Sequence, residues 1–226
     1  MKRQELQWWD LVIISLILFG SAIYNSSITL LNSGLTGAAN AGIFSSADNW
    51  FGIISILIEL TLTFIYLKIR NFDFAQWKYK ITIKDTVTAV VIFLSMSVAM
   101  DIIDILVYGW AEMSSYIGGH GILAVLSEID ISLILFSLLN GTYEEIFFLG
   151  ICFAIKKEQK LFMLIYSLII RTSFHTYQGI ISALSIGFVI GGIYYFLFNK
   201  KDKNLYPYML SHAFADIFGA GIITLI

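Results

Sequence analysis

The feature that most constrains how this chain folds is a succession of apolar segments, each about as long as a membrane is thick. A helix needs about 20 mainly apolar residues to cross the hydrocarbon core of a bilayer. Seven segments of the 226-residue chain meet that requirement, with boundaries near 9–31, 50–68, 86–108, 130–155, 161–179, 180–198 and 205–225. A re-entrant piece at 113–126 could add an eighth element. We therefore predict an all-α membrane protein, a polytopic bundle of about seven transmembrane helices (six to eight).

Composition supports this class and excludes others. Only 13% of the residues are charged and 58% are hydrophobic, whereas soluble domains are typically about 25% charged. The chain has no basic face or recognisable nucleic-acid-binding module, so we expect no nucleic-acid partner. We expect the lipid bilayer as the surroundings of the whole chain.

The distribution of Lys and Arg predicts the orientation. With seven spans, all of these residues except Arg171 fall on the side of the N-terminus, and the loops 32–49 and 109–129 contain none. The positive-inside rule then predicts a cytoplasmic N-terminus. The basic, amphipathic stretch 68–84 becomes a cytoplasmic loop.

Three of the predicted spans each carry a pair of ionisable residues. The pairs are Glu144 with Glu145, Arg171 with His175, and His212 with Asp216. The last two pairs are spaced i, i+4, which places both members on one helix face. A single buried histidine is usually a satisfied core residue. Because intramembrane charges are costly and this chain has few, three such pairs favour a polar site inside the bundle.

Several kinds of chemistry fit these residue types. A carboxylate and an imidazole can deprotonate a water and later protonate a leaving group, while further polar side chains stabilise an oxyanion. Glu144, His175 and His212 could instead bind Zn²⁺ and generate hydroxide. A small transporter or proton relay would use similar residues, although it predicts inverted repeats, which we do not find in the sequence. The sequence contains neither H-E-x-x-H nor G-x-S-x-G.

Depth along the helices argues against close contact. Counted from the predicted cytoplasmic ends at 1.5 Å per residue, His212 lies about 10 Å deep, Glu144 about 16 Å and His175 about 20 Å. Straight parallel helices would therefore spread the site, and tilted helices or shifted ends would be needed to close it.

The three pairs, in this order on separate spans, resemble the motifs of the CAAX protease and bacteriocin-processing (CPBP, or Abi) family of intramembrane endopeptidases. The resemblance covers about residues 130–220. The family's first motif is E-E-x-x-x-R, and here Leu149 stands at the arginine position. Its second is F-x-x-x-H, where Arg171 occupies the phenylalanine position. Its third, H-x-x-x-N or H-x-x-x-D, is matched by His212 and Asp216.

The resemblance implies a role for each residue. Glu144 would activate a water with help from His175, while His212 and Asp216 stabilise the oxyanion and Glu145 is structural. We favour this glutamate mechanism without a cofactor over the Zn²⁺ alternative. We also expect Arg171 to supply the cation that is missing at position 149 by pairing with Glu145, because a buried Arg and a buried carboxylate each need a partner.

The resulting hypothesis is an intramembrane endopeptidase that cleaves a peptide or membrane-protein substrate. Residues 1–129 would form N-terminal membrane helices and the cytoplasmic loop, and 130–226 the helices with the catalytic core, within one membrane domain. The resemblance suggests a multi-pass protein of a bacterial cell membrane that matures a bacteriocin or signalling peptide, or confers self-immunity. The alternative, favoured by Leu149, is a catalytically inactive scaffold or immunity protein that binds a membrane partner such as a sensor kinase.

Overall fold

The computed structural model describes residues 2, 5–36, 45–115, 117, 121–200 and 203–226. Within these ranges the chain is helical, apart from short connections and two isolated β-bridges. The α-helices are α1 (Trp8–Ser33), α2 (Ser46–Ile69), α3 (Ile83–Tyr108), α4 (Trp110–Ser114), α5 (Gly121–Glu128), α6 (Ile131–Glu145), α7 (Lys160–His175), α8 (Ile180–Leu184), α9 (Gly191–Lys200) and α10 (Tyr206–Phe218). The all-α prediction is confirmed.

Five helical stretches in the described part of the chain are long and apolar enough to cross a membrane. They are α1, α2, α3, the stretch Ile131–Ala154 that begins with α6, and the stretch Ile180–Lys200, in which a π-helical segment, Ser185–Ile190, joins α8 to α9. Each coincides with one of the predicted spans, so the chain is an all-α membrane protein.

The other two predicted spans are shorter helices. Helix α7 has 16 residues and α10 has 13, which at 1.5 Å per residue gives about 24 Å and about 20 Å, less than the roughly 30 Å of a hydrocarbon core. Glycines with positive φ explain the early ends: Gly179 (φ 95°) follows the turn after α7, and Gly219 (φ 85°) ends α10. Such backbone conformations end helices and strongly favour glycine. The seven predicted spans thus correspond to five long helical stretches and two short helices.

Helix α6 continues past its two glutamates without a break but with altered winding. It begins after Asp130, whose side chain caps the helix by accepting a hydrogen bond from the Leu133 amide at 2.8 Å. After Glu145 the chain passes through a π-helical turn, Ile146–Ile151, and a 3₁₀ turn, Cys152–Ala154. Single π-helical turns inside α-helices occur frequently at functional sites.

The helices that carry the ionisable pairs pack against the N-terminal helices as well as each other. Helix α10 packs against α6 and α3, α6 packs against α2, and α1 packs against α7. The three N-terminal long helices therefore support the helices that carry the pairs.

The predicted cytoplasmic loop is an ordered connection attached to the C-terminal half. Phe72 in this loop is buried, and Trp77 packs against Gly150 of the π-helical turn. The Asn204 side chain exchanges two hydrogen bonds with the main chain of Lys80, at 2.8 and 2.9 Å.

Two sequence predictions fall partly on residues outside the described ranges. The predicted re-entrant piece corresponds to the end of α4 and to α5, and residues 116 and 118–120 between them lie outside those ranges. Two of the basic residues used for the orientation, Arg3 and Lys201, also lie outside.

Candidate active site

The site is built around the two glutamates at the C-terminal end of α6. Both are buried, with 3% of Glu144 and 0% of Glu145 exposed. Two ionised carboxylates in such surroundings are costly unless cations and hydrogen-bond donors compensate them. The groups that contact the two carboxylates therefore make up the rest of the site.

Arg171 is the direct ionic partner of Glu145. Its Nη2 lies 2.8 Å from Glu145 Oε1, and the side chains of both residues are at most 3% exposed. The guanidinium carbon also lies 4.1 Å from the centre of the Phe148 ring and 5.6 Å from that of Tyr194. The contact that we expected between Arg171 and Glu145 is thus present, and the cation is further stabilised by two aromatic faces.

His212 on α10 contacts both glutamates. Its Nδ1 lies 2.8 Å from Glu145 Oε1, and its Nε2 lies 3.7 Å from Glu144 Oε1 and 3.6 Å from Asp216 Oδ1. Because Glu145 is paired with Arg171 through the same oxygen, it is an acceptor, and the hydrogen in the Nδ1 contact belongs to the imidazole. The other ring nitrogen, Nε2, is the one that lies near Glu144 and Asp216.

Close packing of α6 on α10 removes the depth difference expected for these residues. A Cβ atom on Gly141 would lie 2.5 Å from the Met209 carbonyl oxygen and 3.2 Å from His212 Cβ. Only glycine fits at this crossing, and small residues at such positions let membrane helices approach closely. The crossing lies within one helical turn of both glutamates and places them directly against His212.

His175 is close in sequence to Arg171 but is not part of this hydrogen-bonded group. Its Nδ1 contacts the carbonyl oxygen of Arg171 at 2.7 Å, and its ring packs on Phe174. A carbonyl can only accept, so Nδ1 carries the hydrogen and Nε2 carries the lone pair. Among the ion pairs between described residues, none joins His175 to Glu144 or Glu145. The structure thus brings together five of the six predicted residues and leaves His175 beside them.

Residues of α1 hold the end of the helix that bears His175. The Ser26 hydroxyl accepts a hydrogen bond from the Tyr177 amide at 2.8 Å and contacts the Thr176 hydroxyl at 2.9 Å. Phe19 stacks on Phe174 with ring centres 4.7 Å apart. The sequence carried no signal for these positioning contacts beyond a small polar residue within a span.

Asn140 is a site residue that our sequence reasoning missed. Its Nδ2 lies 2.9 Å from Asp216 Oδ2 and 3.4 Å from Glu144 Oε1, so it links the carboxylates of α6 and α10. Its spacing from Glu144 is i, i+4, the same spacing that singled out the other two pairs. The i, i+4 spacing of Asn140 and Glu144 could have identified this residue from the sequence, but we had considered only ionisable side chains.

One oxygen of each glutamate has no protein partner. Glu144 Oε2 and Glu145 Oε2 are buried and make no hydrogen bond within the described chain. Oε1 of Glu145 is bonded to Arg171 and His212, whereas Oε1 of Glu144 has only long contacts, with Asn140 Nδ2 at 3.4 Å and His212 Nε2 at 3.7 Å. Glu144 is therefore the less constrained carboxylate, with an oxygen able to accept a proton from a water.

The donor types also fit a divalent metal ion. Glu144, Glu145 and His212 each offer one ligand atom, and these atoms lie within 4.8 Å of one another. Three such ligands plus a water are typical of catalytic zinc sites. Glu145 takes the place of His175 in the set that we had expected, and its Oε1 already accepts hydrogen bonds from Arg171 and His212. The three side chains are therefore of types that bind Zn²⁺, but the ion would compete with the Arg171 guanidinium for Glu145.

Comparison with known proteins agrees with the resemblance seen in the sequence. Neither a curated protein nor a solved structure matches the chain significantly. Residues 126–218 match the family model described as type II CAAX prenyl endopeptidase Rce1-like. The matched region begins just before α6 and ends at the last residue of α10, so it contains every residue of the site and leaves α1 to α3 outside. The C-terminal part of the chain is thus similar to the Rce1-like CAAX proteases, the same family that the sequence motifs resemble.

Proposed function

We propose that the protein is an intramembrane endopeptidase in which Glu144 activates a water to hydrolyse a peptide bond. The observation that carries this proposal is the buried group of Glu144, Glu145 and His212, with Arg171 neutralising Glu145. The match of residues 126–218 to the model of a protease family supports it.

The different surroundings of the two glutamates support a division of roles. Glu145 is fixed by Arg171 and His212 and would orient the imidazole. Glu144, whose Oε1 has only long contacts and whose Oε2 has no hydrogen-bond partner among the described residues, would be the base. His175, whose Nε2 carries a lone pair, would accept the second hydrogen of the same water and so help to orient it. This role rests on the family resemblance and on the Nδ1 contact with Arg171.

The reaction would proceed by general acid–base catalysis. Glu144 takes a proton from the water as the water oxygen bonds to the scissile carbonyl carbon, whose oxygen becomes anionic. Protonated Glu144 then gives that proton to the amide nitrogen as the C–N bond breaks, which releases a carboxylic acid and an amine, and the new acid loses its proton to water. Proton transfer by a positioned side chain contributes about 10²- to 10⁴-fold to such reactions. If Zn²⁺ binds, Glu144, Glu145 and His212 would hold it, and the ion would supply hydroxide at neutral pH.

The substrate class follows from the site's location and from the resemblance. A site between membrane helices would act on a peptide or protein segment that enters the bilayer. From the resemblance, we propose maturation of a bacteriocin or signalling peptide in a bacterial membrane. Because the matching family model names prenylated CAAX substrates, a farnesylated CAAX peptide is the comparison substrate.

The test is cleavage by purified protein in detergent, read by mass spectrometry in H₂¹⁸O. Two substrates are used: a pool of synthetic apolar peptides without lipid, and a farnesylated peptide ending in a CAAX sequence. We expect new carboxyl termini that contain ¹⁸O with the wild type, and none with Glu144→Gln of equal thermal stability. Activity that survives a chelator supports the glutamate mechanism, whereas loss that is restored by Zn²⁺ supports the metal mechanism.

A negative result would have a definite meaning. If the wild type cleaves neither substrate, the protease proposal fails for both classes. Binding of a membrane partner that is equal for the wild type and Glu144→Gln would then favour the scaffold alternative.

A further inference from the structure

We propose that Asn140 is a further catalytic residue, whose side-chain amide donates a hydrogen bond to the substrate oxygen as that oxygen becomes anionic. This inference rests on the proposed hydrolytic function. It assigns a role to a residue that lies outside the three motifs of the sequence resemblance.

Asn140 lies on α6 where this helix contacts α10. Its Nδ2 lies 2.9 Å from Asp216 Oδ2 on α10 and 3.4 Å from Glu144 Oε1 one turn further along α6. His212 Nε2 approaches the same two carboxylates, at 3.7 and 3.6 Å. Asn140, Glu144, His212 and Asp216 thus form one contiguous polar group, and a carbonyl attacked by a water on Glu144 would lie against it.

The charge of Asp216 limits which hydrogen bonds this residue can make. An ionised carboxylate only accepts hydrogen bonds, so it cannot donate to an oxyanion. The motif position that holds asparagine or aspartate holds aspartate here, so beside His212 an ionised Asp216 could stabilise the oxyanion only through a donor that it holds, such as the Asn140 amide. Asn140 is the only side-chain amide among the described residues that is bonded to the carboxylates of this site.

The two hydrogens of the amide explain how one group can serve both roles. The hydrogen bond to Asp216 is of normal length and fixes the orientation of the amide. The contact with Glu144 is long, so the second hydrogen can turn to a stronger acceptor. An oxyanion is such an acceptor, and hydrogen bonds to ionised groups are roughly twice as strong as those between neutral groups. Asp216 then acts by holding Asn140.

The test compares kcat and KM of variants on whichever peptide the cleavage assay identifies. Loss of one oxyanion donor typically lowers kcat by about 10²- to 10³-fold. We expect that loss for Asn140→Leu, with KM changed by less than about threefold because the interaction forms mainly in the transition state. Thr142→Val is the matched control on the same helix, because the Thr142 hydroxyl bonds only to the Leu138 carbonyl within α6.

A second variant separates donation from positioning. Asn140→Leu with Asp216→Asn places a new amide next to His212 Nε2 while removing the Asn140–Asp216 bond. If an amide donor is what the reaction needs, kcat recovers at least about tenfold over Asn140→Leu alone. If Asn140 only holds Asp216, the double variant stays as slow as the single one, and the donor proposal is wrong.

Two further outcomes are distinguishable. If Asn140→Leu lacks a cooperative unfolding transition, Asn140→Ala takes its place in both variants with the same expected rates. If the wild type cleaves, Glu144→Gln does not, and Asn140→Leu retains full kcat, this inference fails and the protease proposal stands.

Discussion

At the scale of single residues, the chain departs from the family pattern at two positions, and we propose that one departure compensates for the other. Leu149 stands where the first motif has arginine, and Arg171 stands where the second has phenylalanine. Leu149 is buried and lines a small cavity together with Phe148 and Arg171. Arg171 is the cation that pairs with Glu145 in this chain. We propose that it replaces the cation that is missing at position 149.

Exchanging the two residues tests this compensation. Arg171→Phe alone leaves the Glu145 carboxylate buried without its cation, and we expect a loss of about 3–5 kcal/mol in the free energy of unfolding. Adding Leu149→Arg, which recreates both motif positions, should recover most of that loss and restore activity. The measurement is unfolding of the purified protein in a titration with denaturing detergent. If Arg171→Phe alone is as stable and active as the wild type, the compensation account is wrong.

At the scale of elements, the sequence predicted which helices meet but not where two of them end. The i, i+4 spacing of His212 with Asp216 placed both on one face, and the structure brings that face to the glutamates. The predicted end of α10, near residue 225, lies beyond Gly219 because apolar residues continue after that glycine. The predicted end of α7, residue 179, is the glycine after a 3₁₀ turn, Thr176–Gln178, which hydropathy does not distinguish from an α-helix. The resemblance predicted that His175 assists Glu144, and that role stays a prediction; the structure shows its Nδ1 in contact with a carbonyl oxygen of its own helix. Hydropathy and spacing carry no information about such a contact.

The crossing of α6 and α10 gives a prediction at this scale. Gly141→Ala would place a methyl group 2.5 Å from the Met209 carbonyl oxygen, so the helices must separate. Overpacking of this kind typically costs about 1–3 kcal/mol, and separation would also move His212 away from Glu144 and Glu145. We expect lower thermal stability and loss of cleavage. Gly20→Ala is the control, because a Cβ there meets nothing within 4 Å. Normal activity of Gly141→Ala would show that the close approach is not required.

At the scale of the whole molecule, helices α1 to α3, which lie outside the region that matches the family model, hold parts of the C-terminal half in place. Helix α1 holds the end of α7 through Ser26, and Glu59 of α2 accepts a hydrogen bond from Tyr143, the residue before Glu144, at 2.8 Å. Asp101 of α3 accepts hydrogen bonds from the amides of Ile222 and Ile223, which fixes the segment after α10. The sequence motifs suggested an N-terminal part, residues 1–129, and a C-terminal part, residues 130–226. The contacts described above join these two parts.

Orientation is the prediction that belongs to this scale. If the positive-inside assignment is correct, the loop that contains Lys80 is cytoplasmic and the N-terminal end of α2 faces outwards. A membrane-impermeant maleimide should therefore label Ala47→Cys in intact cells, and Lys80→Cys only after permeabilisation. Both positions are exposed, and the natural Cys152 is buried, so the unmodified protein serves as the unlabelled control. The reverse pattern of labelling would invert the topology.

The central claim is that two adjacent glutamates have different functions, and the most direct test compares Glu144→Gln with Glu145→Gln. For each variant, cleavage rate and the midpoint of thermal unfolding are measured on the same purified sample. We predict that Glu144→Gln keeps the wild-type midpoint and loses at least about 100-fold in rate, because it removes the base. Glu145→Gln should lower the midpoint strongly, because Arg171 and His212 lose their shared acceptor. Full activity in Glu144→Gln, or an unchanged midpoint in Glu145→Gln, would contradict the account.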